Sequence, residues 1–260
     1  MNAKKVSGYI TDWLEGYASK AGLDGFVVGV SGGIDFAVTS TLCALTGKKV
    51  MVFNMPIYQN ASQFDLSTRH IAWLEETFPN VTGSVIDLTE AFKAMENTFP
   101  SEIQDHLTMA NARARLRMTT LYAIAGHYKL LVAGTGNKVE DFGVGFYTKY
   151  GDGGVDLSPI ADLYKTEVWA LGKEIGVIED IVKAAPTDGL WDDGRTDEDQ
   201  IGASYVELEW AMEYLSMKKD KGALEGRQKV VMDLYQKLNR ANQHKMQPIP
   251  VCEIPEEFMN

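Results

Sequence analysis

The stretch from residue 25 to residue 45 constrains the fold more than any other part of this chain. Residues 26–30 are apolar and rich in β-branched side chains, which is typical of a buried strand. Residues 31–33 read Ser-Gly-Gly, and Ile34–Leu45 then has apolar residues at helical spacing. A strand, a glycine turn and a helix in this order direct free backbone N–H groups at an anion. We therefore expect a phosphate site where the first strand ends.

Apolar strand-like runs alternate with helix-like segments through the first half of the chain, and this alternation predicts an α/β fold. The candidate strands are 26–30, Lys49–Asn54, 82–87 and 130–134. The candidate helices are Ala3–Ala21, Ile34–Leu45, 65–77, 88–98 and 108–128. Such a pattern is typical of a twisted parallel sheet flanked by helices on both faces. Ligands of such sheets bind at the carboxyl ends of the strands.

The second half of the chain lacks the regular alternation of strands and helices. Residues 141–158 contain five glycines with little periodicity, and we expect a mobile loop there. Helices are predicted at 164–175, 197–215 and 221–241, with a polar loop over 186–198. The proline-spaced tail from residue 246 to residue 260 is expected to be extended.

Composition bounds the function. The 260 residues are 45% hydrophobic and 23% charged, and the net charge of −11 argues against nucleic acid as the main partner. The chain shows no stretch long enough for a membrane span and no apolar signal-peptide core near Met1. Two cysteines, Cys43 and Cys252, fit a reducing compartment. We expect a cytoplasmic protein that concentrates positive charge locally at its anion site.

Asp35 indicates that the predicted phosphate site also binds a divalent cation. A carboxylate beside a bare phosphate would repel it, but it can hold a divalent cation that bridges to one. Glu140, which ends the segment Gly-Thr-Gly-Asn-Lys-Val-Glu after the fourth strand, is a candidate for a second oxygen ligand. The turn is not a Walker A loop, because no Gly-Lys-Ser/Thr follows the glycines.

The Ser-Gly-Gly-Ile-Asp sequence at 31–35 resembles the pyrophosphate-binding loop of the N-type ATP pyrophosphatases. Further motifs, in order from about residue 25 to residue 245, resemble the ammonia-dependent NAD synthetases within that group. These motifs are 31–35, Asn111 with Arg113, Arg115 and Arg117, 134–140, 148–156 (Thr-Lys-Tyr-Gly-Asp-Gly-Gly-Val-Asp), 159–165, Pro186 with Thr187, and Asp197-Glu198 with Gly202 and Tyr205.

This resemblance implies a fold and a reaction. The fold would be Rossmann-like, of the adenine nucleotide alpha hydrolase type, as one domain over residues 1–260 without an amidase domain. The enzyme would be a ligase that amidates deamido-NAD with free ammonia, or ammonia from a separate partner. ATP, its co-substrate, would adenylate the nicotinate carboxylate and leave as AMP and pyrophosphate. Mg²⁺ would be the cofactor, and the family suggests a homodimer.

The resemblance also implies roles for individual residues. Asp35 and Glu140 would bind Mg²⁺, and Asp35 and Lys165 would be catalytic. ATP would be bound by Gly29, Val30, Ser31, Gly32, Gly33, Ile34, Asp35, Phe36, Thr135, Lys165 and Thr187. Deamido-NAD would be bound by Arg115, Lys149, Asp156, His244 and Lys245. The 141–158 loop would be a lid that protects a water-sensitive acyl-adenylate.

Three arginines on the predicted helix 108–128 lie on two different faces of that helix. Arg113 and Arg117 are four residues apart and share a face, whereas Arg115 points almost oppositely. We expect surface ion pairs for the first two. Arg115 lies on a mixed stripe with Met118 and Tyr122, which favours an interface. The resemblance implies that this helix contributes to a dimer interface and that deamido-NAD lies across it.

Two departures leave alternatives open. Phe36 stands where the family loop usually has serine, and Asn54 stands where the bacterial enzymes commonly have an ATP-contacting arginine. The alternatives are an N-type ATP pyrophosphatase that amidates a different acid, and a nucleotide-binding pseudoenzyme. A thiolase is disfavoured, because Cys43 and Cys252 do not match catalytic positions. His70 is expected to be a solvated or core residue.

Overall fold

The computed structural model describes residues 1–58, 61–186, 196–217 and 224–259. Four strands form one sheet: β1 (Gly25–Gly29), β2 (Lys49–Asn54), β3 (Val81–Val85) and β4 (Leu130–Val132). The helices are α1 (Ala3–Ala21), α2 (Ile34–Leu45), α3 (Ala61–Thr77), α4 (Thr89–Thr98), α5 (His106–Tyr128), α6 (Lys165–Glu174), α7 (Glu179–Lys183), α8 (Asp197–Ile201), α9 (Tyr205–Ser216) and α10 (Gly226–Met246).

The sheet is parallel throughout, with the strand order β3-β2-β1-β4. Val27 at the centre of β1 pairs with Met51 on one side and with Val132 on the other. Gly25 permits this close pairing, because a Cβ atom there would lie only 1.8 Å from the carbonyl oxygen of Lys49. The predicted parallel sheet with helices on both faces is confirmed.

Alternation along the strands divides the core between the two faces. Phe26 and Val28 pack in the cluster that joins the sheet to α1, α2, α6 and α7, whereas Val27 and Phe53 pack in the cluster under α4 and α5. Successive strand side chains point to opposite faces, so one strand serves both clusters. A third cluster joins α9 and α10 to the helical turn Val139–Val144.

The second half differs from the prediction in several places, including the unpredicted helix α7. The helix predicted over 197–215 is two helices, because Gly202 ends α8 with a φ of +90° that favours glycine. Within the predicted 141–158 loop, Val139–Val144 forms a helical turn of the π type whose valines are buried. Finally, α10 continues to Met246, so His244 and Lys245 lie on its last turn rather than between helix and tail.

None of the helices within the described ranges combines the length and apolar character needed to cross a membrane.

Candidate active site

The glycine turn and the start of α2 lie at the carboxyl end of β1, as the sequence predicts. Gly33 caps α2 in an extended conformation, and its N–H group donates to Ser31 Oγ at 3.3 Å. A Cβ atom on Gly33 would lie 3.5 Å from the Phe36 ring, so that ring lies against the turn. The first amides of α2 face outward from a helix N-terminus, which favours an anion.

A buried lysine links this turn to the rest of the site. Lys165, the first residue of α6, is only 2% exposed, and its ammonium group contacts Asp35 Oδ2. The same nitrogen lies 3.0 Å from Glu140 Oε1. The three residues for which the resemblance implies catalysis and metal binding are therefore in direct contact.

The charges in this cluster stabilise one another. Burial lowers the pKa of the Lys165 ammonium group, but Asp35 and Glu140 outweigh it and hold that pKa above the ordinary lysine value. Burial raises the pKa of the Asp35 carboxyl group, and Lys165 opposes this effect.

Two further residues hold the cluster in place, and sequence reasoning did not assign them a role. Asn137 donates from Nδ2 to Asp35 Oδ1 at 3.1 Å, while its Oδ1 accepts from the Glu140 amide at 3.2 Å. Tyr205, at the start of α9, has its hydroxyl 2.6 Å from Glu140 Oε1. Burial, followed by the charge of Glu140, raises the pKa of the Tyr205 phenol, so this group keeps its proton and donates. The hydrogen bond between Tyr205 and Glu140 joins residues 65 positions apart, so no local sequence pattern predicts it.

The donor set fits Mg²⁺. The carboxylates of Asp35 and Glu140 both contact the Lys165 ammonium group, so the two groups lie close to each other at this point of the fold. Neither here nor elsewhere in the described residues do three or more acidic, histidine or cysteine side chains form a metal cluster, so protein ligands would fill only part of the shell of the ion. A site with two carboxylates suits Mg²⁺, which usually takes one or two protein carboxylates and completes its shell with water and phosphate oxygens.

Four of the five residues assigned to deamido-NAD form one chain of contacts. Arg115 on α5 donates to the Lys149 carbonyl oxygen at 3.3 Å, and the Lys149 ammonium donates to the His244 carbonyl oxygen. The next residue, Lys245, donates to the carbonyl oxygens of Gly145 and Tyr147, both at 2.8 Å. These contacts hold the loop that follows the helical turn Val139–Val144 against α5 and α10.

Asp156 lies beside this chain of contacts. Its carboxylate accepts from the Val132 amide at 2.8 Å and from the Tyr122 hydroxyl at 3.0 Å, which ties it to β4 and α5. Between the turn at 134–136, the loop at 147–158 and Lys245 lies a cavity of about 160 Å³. Of the five residues assigned to deamido-NAD, Lys245 lines this cavity, and Lys149 and Asp156 belong to the loop beside it.

Several expectations need correction or stay open. Arg117 is not a surface ion pair: its Nε donates to the Met55 carbonyl oxygen at 2.8 Å, and burial lowers its pKa to about 10. Arg113 is partly exposed and its guanidinium carbon lies 5.7 Å from the centroid of the Phe92 ring, so its surface ion pair stays a prediction. Asn54 is buried and donates to Ser67 Oγ at 2.6 Å. Thr135 follows β4 at the same edge of the sheet, and Thr187 lies outside the described residues.

Comparisons with known proteins show similarity along nearly the whole chain. The family model described as NAD synthase matches residues 6–249. The NH(3)-dependent NAD(+) synthetase of Methanosarcina acetivorans is 37% identical over 268 residues, covering 98% of this chain and 100% of that protein.

Two solved structures are similar over nearly their full lengths. An NMN synthetase from Francisella tularensis has a TM-score of 0.84 and 29% identity, covering 98% of this chain and 100% of its own. An NH3-dependent NAD synthetase from Campylobacter jejuni has a TM-score of 0.79 and 26% identity, covering 97% and 100%. With the assembled site and a match from residue 6 to residue 249, the chain belongs to the NAD synthase family.

Proposed function

We propose that this protein is an ammonia-dependent NAD(+) synthetase. It would join ammonia to the nicotinate carboxylate of deamido-NAD and convert ATP to AMP and pyrophosphate. The observation that carries the proposal is the contact of Lys165 with both Asp35 and Glu140 at the edge of the sheet where the glycine turn lies. Relatives that are 33–37% identical over the whole chain are named for this activity, which supports the same conclusion.

The cluster addresses the central difficulty of the reaction, which is that two anions must meet. The nicotinate carboxylate attacks the α-phosphorus of ATP, the bond to the β-phosphate breaks, and pyrophosphate leaves with its electron pair. The amides at the start of α2 would hold the phosphates, and Lys165 would follow negative charge onto the leaving pyrophosphate. Mg²⁺ held by Asp35 and Glu140 would neutralise triphosphate charge.

The second half-reaction requires a dry site. Ammonia attacks the acyl carbon of the adenylate, AMP leaves, and the nitrogen loses a proton to form the amide. Water would hydrolyse the same intermediate. The residues that follow the helical turn Val139–Val144 are held to α10 by Lys245 and by Asn242, which donates to the Val144 carbonyl oxygen at 2.8 Å. We propose that this packed segment, rather than a freely mobile loop, covers the reacting carboxylate.

The remaining assignments are part of the same proposal. Arg115, Lys149, Asp156, His244 and Lys245 would bind deamido-NAD, and Thr135 and Thr187 would contact ATP. The catalytic unit would be one domain that takes ammonia directly. Two copies would form a homodimer through α5, with the dinucleotide across the interface.

A second acid is favoured by a specific similarity. The Francisella tularensis structure, which has a TM-score of 0.84, is named an NMN synthetase, so the mononucleotide acid is a candidate substrate here too. The amidated group is the same nicotinate carboxylate in both acids, and only the adenylate half of the dinucleotide distinguishes them.

Product analysis tests the proposal. Purified protein is incubated with ATP, Mg²⁺ and ammonium chloride, and with either deamido-NAD or nicotinic acid mononucleotide. We expect AMP and NAD in equal amounts from deamido-NAD, with a higher kcat/KM than for the mononucleotide. The reverse preference would assign the second acid. ADP in place of AMP, or no nucleotide cleavage with either acid, would refute the amidation chemistry.

A further inference from the structure

We propose that Tyr205 is a positioning residue that fixes the Glu140 carboxylate for the metal-bound nucleotide. The proposal rests on the function proposed above and adds to it a residue that touches neither ATP nor the acid. The phenol would act only through Glu140.

Hydrogen-bond geometry carries the first step. The Tyr205 hydroxyl lies 2.6 Å from Glu140 Oε1 and 3.4 Å from Asp197 Oδ2, so its single proton goes to the nearer oxygen. The Lys165 ammonium group contacts that same oxygen at 3.0 Å. Glu140 Oε1 thus accepts two hydrogen bonds. For the other oxygen, Oε2, the described part of the chain provides no donor, which leaves it for a cation.

Packing fixes the phenol itself. Tyr205 is 1% exposed, its ring meets Trp169 edge-on at 6.2 Å between centroids, and its backbone N–H donates to Glu198 Oε1 at 2.8 Å. It is the first residue of α9, which Ser204 caps. A hydroxyl held this firmly allows Glu140 few alternative rotamers, and such outer contacts orient metal ligands in many sites.

Phenylalanine at position 205 removes only the hydroxyl. The ring contacts with Trp169 and with Lys165, whose ammonium lies 4.8 Å from the ring centroid, would remain. Tyr235→Phe is the matched control, since Tyr235 is a buried tyrosine of the same cluster, and among the described residues the tyrosine hydroxyl bonded to Glu140 is that of Tyr205.

If the Tyr205 hydroxyl had only a structural role, its loss would leave metal affinity unchanged, so metal binding is the measurement that tests the proposal. Mn²⁺ binding to the full chain is followed by electron paramagnetic resonance in the presence of a non-hydrolysable ATP analogue. We expect Tyr205→Phe to weaken Mn²⁺ binding about tenfold, in the range for loss of such outer contacts. The Mg²⁺ concentration for half-maximal activity should rise similarly, while thermal unfolding and the Tyr235→Phe variant stay close to wild type.

A double-mutant cycle with Glu140→Gln tests whether Tyr205 acts on metal binding through Glu140. If Tyr205 acts through Glu140, adding Tyr205→Phe to Glu140→Gln weakens Mn²⁺ binding no further. Additive losses, or wild-type Mn²⁺ binding in Tyr205→Phe, would overturn the proposal, as would a wild-type protein that binds no Mn²⁺ with the analogue. Failure of the amidation proposal is seen separately, because it changes the products and not the Mn²⁺ cycle.

Discussion

Phe36 is the residue at which this chain departs most from the phosphate loop it resembles. Its ring lies against the glycine turn beside Gly33. A serine hydroxyl at this position would donate to a phosphate oxygen, and a bond to a charged group contributes about 1.5–3 kcal/mol. We expect Phe36→Ser to raise kcat/KM for ATP about tenfold or more, measured as AMP release.

A second variant at this position separates two explanations. Phe36→Ala removes the ring without supplying a hydroxyl. If only Phe36→Ser gains activity, the missing hydrogen bond limits the enzyme, whereas an equal gain in both variants would assign the limit to the ring. A loss of activity in both would contradict the prediction and show that the phenyl ring has its own role in the site.

Lys165 neutralises two carboxylates that are otherwise buried together. Lys165→Met keeps the length of the side chain and leaves Asp35 and Glu140 facing each other without a cation. Breaking a buried ion pair on one side costs about 3–5 kcal/mol, so we expect a lower melting temperature and almost no AMP formation. Because Mg²⁺ can take the place of the ammonium group, added Mg²⁺ should raise the melting temperature of this variant more than that of wild type.

The matched control is Lys138→Met, which removes an exposed ion pair with Asp162. This variant should keep the wild-type response to Mg²⁺. An equal Mg²⁺ response in Lys165→Met and wild type would argue against a shared cation position.

At the scale of helices and strands, the contact between α2 and α3 depends on a neutral histidine. His70 is fully buried on α3, where its Nε2 lies 2.9 Å from Ser40 Oγ on α2 and its ring stacks on Trp73. Burial lowers the pKa of His70 from 6.5 to about 4. Below pH 6.5 the unfolded chain binds a proton that the folded chain does not, so stability falls as the pH drops toward 4.

A variant without a titrating group should flatten this dependence. The difference between the two pKa values corresponds to roughly 3 kcal/mol. We expect urea unfolding of His70→Gln to lose that much less stability than wild type between pH 6.5 and pH 4. His127→Gln, on the exposed end of α5, should retain the wild-type slope. Parallel curves for His70→Gln and wild type would contradict a neutral buried His70.

The elements that the sequence predicted well are those with a clear period. Lys49–Asn54, Ile34–Leu45 and Ala3–Ala21 have the predicted bounds, because apolar spacing there reflects burial against the sheet. The extent of the turn Val139–Val144 was not predicted, since its six residues are too few to show a helical period and its valines pack against α9 and α10. Arg117 was misplaced for a related reason: the carbonyl group that it binds, at Met55, is 62 residues away.

At the scale of the whole molecule, the candidate site likewise contains residues that sequence motifs predicted and residues that they did not. Asp35, Glu140 and Lys165 were proposed from motifs, and the fold brings them together although Asp35 and Lys165 are 130 residues apart. Their grouping was foreseeable, because parallel strands end at a common edge. The supports from Asn137 and Tyr205 were not: both lie in motifs that carry the resemblance, but the hydrogen bonds of an amide or a phenol depend on the fold, so no role followed from their positions.

The exposed face of α5 suggests how two copies would associate. Arg115, Thr119 and Tyr122 lie on one side of this helix, and all three are exposed in the single chain. This face carries the start of the contact chain that runs from Arg115 to Lys149 and His244. A twofold dimer through α5 would therefore bring the assigned dinucleotide residues of both copies together.

A charge on that face tests the association. In a twofold interface each residue near the axis meets its own copy, so Thr119→Glu would place two like charges close together. We expect wild type to sediment as a dimer and Thr119→Glu as a monomer, with a higher KM for deamido-NAD and an unchanged melting temperature for the separated chain. Ser19→Glu, which adds the same charge to the exposed side of α1, should remain dimeric. A fully active monomeric wild type would show that the dinucleotide is bound within one chain.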